Sequence, residues 1–167
     1  MEKSAILIID VQNYFINVHT RDLPKKIAAH VRDARYDYVL FTKFVNNKNS
    51  NFVKMLGWDK CNSAPDTDIC SELSGLVNKE NANVFEKHTL SAFKNPKLKK
   101  FLDANTVTKL YICGTDSEAC VLSSAFEAFD FGFDVQILKE LCASSNGKDF
   151  HEYARTIIER NLEPFTC

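Results

Sequence analysis

Three residues of different chemistry stand where a thiol nucleophile would need them. Cys120 lies in Gly114-Thr115-Asp116-Ser117-Glu118-Ala119-Cys120-Val121, a turn that joins the apolar run Leu110–Cys113 to a helix-like run. Turn N–H groups and the positive end of a helix favour a thiolate, so a thiol pKa of about 8.5 falls by units in such a place. The thiol must still lose its proton, and a carboxylate can take it when burial and a nearby cation tune that carboxylate. Asp10 follows the run Ala5–Ile9, and Lys87 stands just past Val84-Phe85. A nucleophile, a base and an ammonium that stabilises the thiolate are the ingredients of acyl transfer through a thioester, with backbone amides around Cys120 as the oxyanion hole. Each residue also has a plainer reading. Asp10 could cap a turn, Lys87 could be a solvated lysine, and Cys120 could be as inert as the other five cysteines.

The order of elements is what gathers the three at one edge. Ala5–Ile9 is continuous enough to be a strand buried on both faces, and it stops at Asp10. Pro24 suits the first turn of a helix in which Ile27, Ala28 and Val31 share a face. Further strands are expected at Tyr38–Phe41, Val84-Phe85, Leu110–Cys113 and Val135–Leu138. Asn95 and Pro96 read as N-cap and first position of a helix that turns Leu98, Phe101 and Leu102 inward. Beyond Cys120, Leu122, Ala125, Phe126 and Phe129 keep helical spacing until Gly132, and Phe150, Tyr153, Ala154, Ile157 and Ile158 form a second such stripe. Glu163-Pro164-Phe165 is a candidate edge strand. The alternation predicts an α/β fold: a doubly wound, mainly parallel sheet of five to six strands with helices on both faces, a three-layer Rossmann-like sandwich. Ligands bind such sheets at the carboxyl ends of the strands. Residues 44–81 interrupt the alternation. This Asn-rich excursion carries Trp58 and has the length of a lid or pocket wall.

At 167 residues the chain fits one domain, residues 1–167, without an evident linker or repeat. Its formal charge of −1 argues against a nucleic-acid partner, and no apolar run is long enough to span a membrane. The apolar stretch of MEKSAILIID meets Asp10 too soon for a secretion signal. Six cysteines without such a signal read as reduced thiols, so a cytoplasmic protein acting on a small-molecule substrate is expected.

The motifs resemble the isochorismatase-like cysteine hydrolases, which include nicotinamidases and N-carbamoylsarcosine amidases. Asp10-Val11-Gln12-Asn13-Tyr14-Phe15 is similar to their D-x-Q-x-x-F opening, Lys87-His88-Thr89-Leu90-Ser91-Ala92-Phe93 to their K-x-x-x-S-A-F segment, and Gly114 through Val121 to their nucleophile turn. The three occur in the family's order and cover nearly the whole chain. The resemblance implies a triad of Asp10 as general base, Lys87 as thiolate stabiliser and Cys120 as nucleophile. It also implies a cis peptide between Thr115 and Asp116, with the N–H groups of Asp116 and Cys120 as oxyanion donors. Phe15 and Phe93 occupy positions that tend to wall the site, and Trp58 could reach it from the excursion. Homo-oligomers, dimers or tetramers, are expected from the family.

Two departures shape the expected chemistry. Nicotinamidases of this type carry an Asp-x-His pair and a second His after the second strand, which bind a metal. Here Thr42-Lys43-Phe44-Val45-Asn46 has neither, and His19, His30, His88 and His151 lack ligand spacing, so no metal and no other cofactor are expected. Glu140-Leu141 replaces the usual Asp-Ala after the fifth strand, which would alter the sheet edge or an oligomer contact. The expectation is therefore a metal-independent cysteine hydrolase cleaving a C–N bond of a small amide or ureide. The alternatives are vinyl ether cleavage of the isochorismatase type and a catalytically idle member acting as an oligomeric interaction module.

Overall fold

The computed structural model describes residues 2–163. Five strands form one parallel sheet in the order β3-β2-β1-β4-β5, where β1 is Lys3–Ile9, β2 Tyr38–Phe44, β3 Ala82–Lys87, β4 Val107–Gly114 and β5 Asp134–Cys142. The α-helices among the described residues are α1 Leu23–Asp33, α2 Asn51–Leu56, α3 Ser74–Val77, α4 Pro96–Ala104, α5 Leu122–Asp130 and α6 Lys148–Asn161. This is the doubly wound arrangement expected of a βαβ alternation. The sheet has five strands among the described residues, and the candidate edge strand at Glu163-Pro164-Phe165 lies largely outside them.

The continuous run of β1 has the burial its sequence demands. Ala5 through Ile9 are wholly inaccessible, because β1 is the middle strand and is covered on both faces. Asn95 caps α4, its side chain accepting from the Lys97 N–H at 2.9 Å, and Pro96 follows where its missing N–H has no cost.

Two helices turn differently from their apolar patterns. On α5 the buried residues are Ser124, Ala125 and Ala128, whereas Phe129 is exposed. A π-turn over Ser117–Val121 precedes the helix, with the Val121 N–H bonded to the Asp116 carbonyl at 3.1 Å, and the helix packs inward on its small residues. Ser124 is used there as a clasp, donating to the Cys120 carbonyl at 2.7 Å and accepting from the Ala92 N–H at 2.9 Å. On α6 only Ala154 and Ile158 of the expected stripe are buried, and Phe150, Tyr153 and Ile157 are exposed.

Candidate active site

The carboxyl ends of β1, β3 and β4 converge. β1 and β4 lie so close at Gly114 that a Cβ there would stand 2.1 Å from the Ile9 carbonyl oxygen, so only glycine fits. The Thr115 N–H then bonds the Ile9 carbonyl at 2.9 Å, and the Thr115 hydroxyl donates to the Asp10 carbonyl at 2.8 Å. Asp10 itself has φ +47°, a left-handed conformation rare for a residue other than glycine.

Asp10 is buried, and its two carboxylate oxygens have different surroundings. Oδ1 accepts from the Thr42 hydroxyl at 2.6 Å, while Oδ2 lies 2.6 Å from the Lys87 Nζ. At that distance the second contact is a buried, charge-assisted ion pair. The same ammonium also reaches the carbonyls of Thr89 at 2.8 Å and Leu90 at 3.0 Å and the Cys120 Sγ at 3.4 Å. Burial alone would lower the Lys87 pKa, but the Asp10 charge and the thiol beside it reverse that and raise it. The ammonium is charged at any physiological pH.

The thiol departs from the sequence expectation of a depressed pKa. Burial pushes Cys120 upward, the Asp10 charge adds to this, and Lys87 offsets only part. Cys120 is 8% exposed rather than set in an open turn, which is the physical reason. The resting residue is a neutral thiol between a base and a cation.

The nucleophile turn is held by backbone bonds that use the N–H groups of Ser117, Ala119 and Val121, leaving those of Asp116 and Cys120 outside this set. The Thr115–Asp116 peptide bond is cis. Beyond β5, which contains Glu140-Leu141 and bulges against β4, the chain returns beside the turn. There the Ser145 N–H and hydroxyl both donate to the Asp116 carboxyl, at 2.6 and 2.8 Å. Burial raises the Asp116 pKa to about 6, with Glu118 and Asp10 adding to it and the Ser145 bonds opposing it.

A cavity of about 540 Å³ opens over Cys120. Its aromatic wall comprises Tyr14, Phe15, Phe44, Phe52 and Trp58, and its polar side Asn17, Asp116, Ser145 and Asn146. Phe15 and Trp58 both line this cavity. Phe93 does not: it is buried in the main core, its ring against Phe131 and Phe133 at 5.6 and 5.9 Å. The aromatic spacing of a motif position told nothing about which side of the turn it faced. The excursion does supply wall residues, Phe52, Leu56 and Trp58, and the Trp58 Nε1 donates to the Tyr14 hydroxyl at 3.2 Å. It is tied back by Gln12, whose amide donates to the carbonyls of Phe44 and Thr67 and accepts from the Phe44 N–H. Sequence reasoning did not single out Thr42, Gln12, Ser145 or the Asp116 side chain. The Q of D-x-Q-x-x-F was the available signal for Gln12.

A sequence profile described as the isochorismatase domain matches residues 4–166, and the chain belongs to the isochorismatase family of hydrolases. It is 29% identical over 155 residues to nicotinamidase 3 of Arabidopsis thaliana, covering 89% of this chain and 77% of that one. The fold is shared with the pyrazinamidase/nicotinamidase of Streptococcus mutans, with TM-score 0.83, 20% identity and coverage of 95% and 97%. It is also shared with the pyrazinamidase of Pyrococcus horikoshii solved in complex with zinc, with TM-score 0.79, 22% identity and coverage of 95% of each chain. The residues here do not fit such a metal. Among the described residues no three His, Cys, Asp or Glu side chains converge, and no histidine lines the cavity. His30, His88 and His151 are instead bonded to Tyr36, the Val45 carbonyl and Ser117. No helix of the described residues is long and apolar enough to cross a membrane.

Proposed function

We propose that the chain hydrolyses a carbon–nitrogen bond of a small amide or ureide through a thioester on Cys120. The observation that carries this reading is the buried contact of Asp10 Oδ2, Lys87 Nζ and Cys120 Sγ at the floor of an aromatic cavity. Asp10 Oδ2 takes the thiol proton, and Sγ attacks the carbonyl carbon. The oxyanion is received by the N–H groups of Asp116 and Cys120. Asp10 returns the proton to the departing nitrogen, which leaves as ammonia or an amine. A water deprotonated by Asp10 then attacks the thioester, releasing the acid and restoring the thiol. Lys87 keeps its charge throughout and balances the thiolate. The nicotinamidase activity named for the Arabidopsis relative supports an amide as substrate class, while the missing metal ligands argue for a different recognition of its ring or side chain.

The test is ammonia release across a panel of small amides and ureides, with wild type beside Cys120→Ala. Turnover that is lost in the variant supports the thioester route. Turnover that survives in Cys120→Ala rules that route out.

A further inference from the structure

The charge lining the cavity is one-sided. Asp116 is the one carboxyl on its wall, and no lysine, arginine or histidine stands there. Lys87 is not among the lining residues: it is 2% exposed and committed to Asp10, two carbonyls and the Cys120 Sγ, with its Nζ 5.1 Å over the Phe44 ring, so the rings left to a ligand are Phe52, Trp58 and Tyr14. No cation pairs with Asp116 among the described residues. Its carboxyl is held by neutral donors from Ser145 alone, and it is only 8% exposed. Burying an ionisable carboxyl without a counter-charge opposes folding, so such a group marks a place where a ligand supplies the missing partner.

The opposite wall has the complementary property. The rings of Phe44, Phe52 and Trp58 lie mutually 5.1 to 5.8 Å apart, and Tyr14 stacks edge-on to Trp58 at 5.6 Å. Aromatic faces attract cations and tolerate neutral rings, but they offer nothing to a carboxylate. An aromatic wall facing one carboxylate, with no cation among the lining residues and the nearest ammonium buried and already paired, is the general design of a site for an organic cation.

We propose that the cavity selects an amide bearing a positive charge, an alkylammonium or similar organic cation, held between the aromatic wall and Asp116, and that it rejects anionic amides. This rests on the amide hydrolase reading and names its substrate class. A vinyl ether substrate carrying carboxylates would meet Asp116 with like charge and no compensating cation.

The test uses three benzamides of matched shape, with a para trimethylammonium, tert-butyl or carboxylate group. Binding to the Cys120→Ala protein is measured by calorimetry, and ammonia release is measured with wild type. The cation is expected to bind about tenfold tighter than its neutral isostere, with the carboxylate weakest. Asp116→Asn should erase most of that preference, and Trp58→Leu should reduce it without reversing it. Equal binding of the three, tighter binding of the carboxylate, or no saturable binding of the cation at millimolar concentration would overturn the inference. Charge-selective binding with no ammonia release by wild type would instead sink the hydrolase reading and leave the cation site standing. Ammonia release at equal kcat/KM for all three would do the reverse.

Discussion

Lys87→Met examines the buried triad through stability, independently of any substrate. Methionine fills the lysine's path but removes the ammonium, which leaves the Asp10 carboxylate buried without its 2.6 Å partner and the carbonyls of Thr89 and Leu90 without donors. Breaking a buried pair in this way costs about 3–5 kcal/mol, which for a chain of this size lowers Tm by about 6–20 °C. Asp10→Asn leaves the converse defect, a buried ammonium without its counter-charge. In the double variant both charges are gone and the Thr42 hydroxyl can still donate to the Asn oxygen, so the double should be more stable than the sum of the singles by about 2–3 kcal/mol. It should not return to wild type, since the two carbonyls stay unpaired at about 1 kcal/mol or more each. The assay is urea unfolding of all four proteins with a common m-value. A Lys87→Met loss under about 1 kcal/mol, or simple additivity of the two changes, would refute the picture of mutually dependent buried charges.

Gly114→Ala should destabilise by about 3 kcal/mol or more or prevent soluble expression, because its Cβ would overlap the Ile9 carbonyl at 2.1 Å; stability close to wild type would mean the strands can part cheaply. Asp116 is faced by Glu118 on its own turn, Asp10 from β1 and the Ser145 donors, and its pKa is raised from 3.8 to about 6. A raised acid contributes stability below its unfolded pKa and loses it as pH rises through the folded value. The Tm of Asp116→Asn relative to wild type should therefore climb between about pH 4 and pH 7, by the equivalent of up to about 3 kcal/mol, and a constant difference would contradict this. Burial raises all four thiols, Cys120 included, so access sets the order: in the native protein, iodoacetamide near pH 8 should label Cys120, which opens onto the cavity, ahead of Cys61, Cys70 and Cys142, which do not line it. Peptide mass spectrometry reads the order, and Cys120 labelled no faster than the other three would contradict an accessible nucleophile at the cavity floor.

The strand ends were the legible part of the site. β1 ends where an unbroken apolar run meets Asp10, and β3 and β4 end at Lys87 and Gly114, so a doubly wound sheet gathers those residues whatever the loops do. The cavity wall was not legible in the same way. Residues 44–81 have no period, and the position of Trp58 depends on the Gln12 amide gripping both Phe44 and Thr67, a contact between distant segments that no local pattern encodes. Phe93 and Phe129 mislead for different reasons: the family position of Phe93 points it at the wall, but the 3-10 turn in which it sits places its ring in the core, and Phe129 shares a helical stripe with Leu122 and Phe126 although α5 buries the neighbouring face of Ser124, Ala125 and Ala128. Asp116 drew attention for its backbone N–H, and its carboxyl acquired meaning only once Ser145 and the aromatic wall stood around it.

The clasp between Asp10 and Thr115 spans 105 residues, and it orders the birth of the site in time. β1, β2 and β3 are neighbours in the sheet and all precede residue 88, so a nascent chain can pair Asp10 with Lys87 before the nucleophile exists. Cys120 follows Lys87 by 33 residues, about 2–7 s later at ordinary rates of synthesis. The turn after β4 then brings the thiol against an Asp10–Lys87 pair that the earlier strands can already hold. In this order the proposed nucleophile is the last of the three to be synthesised, and it meets a buried setting as β4 docks.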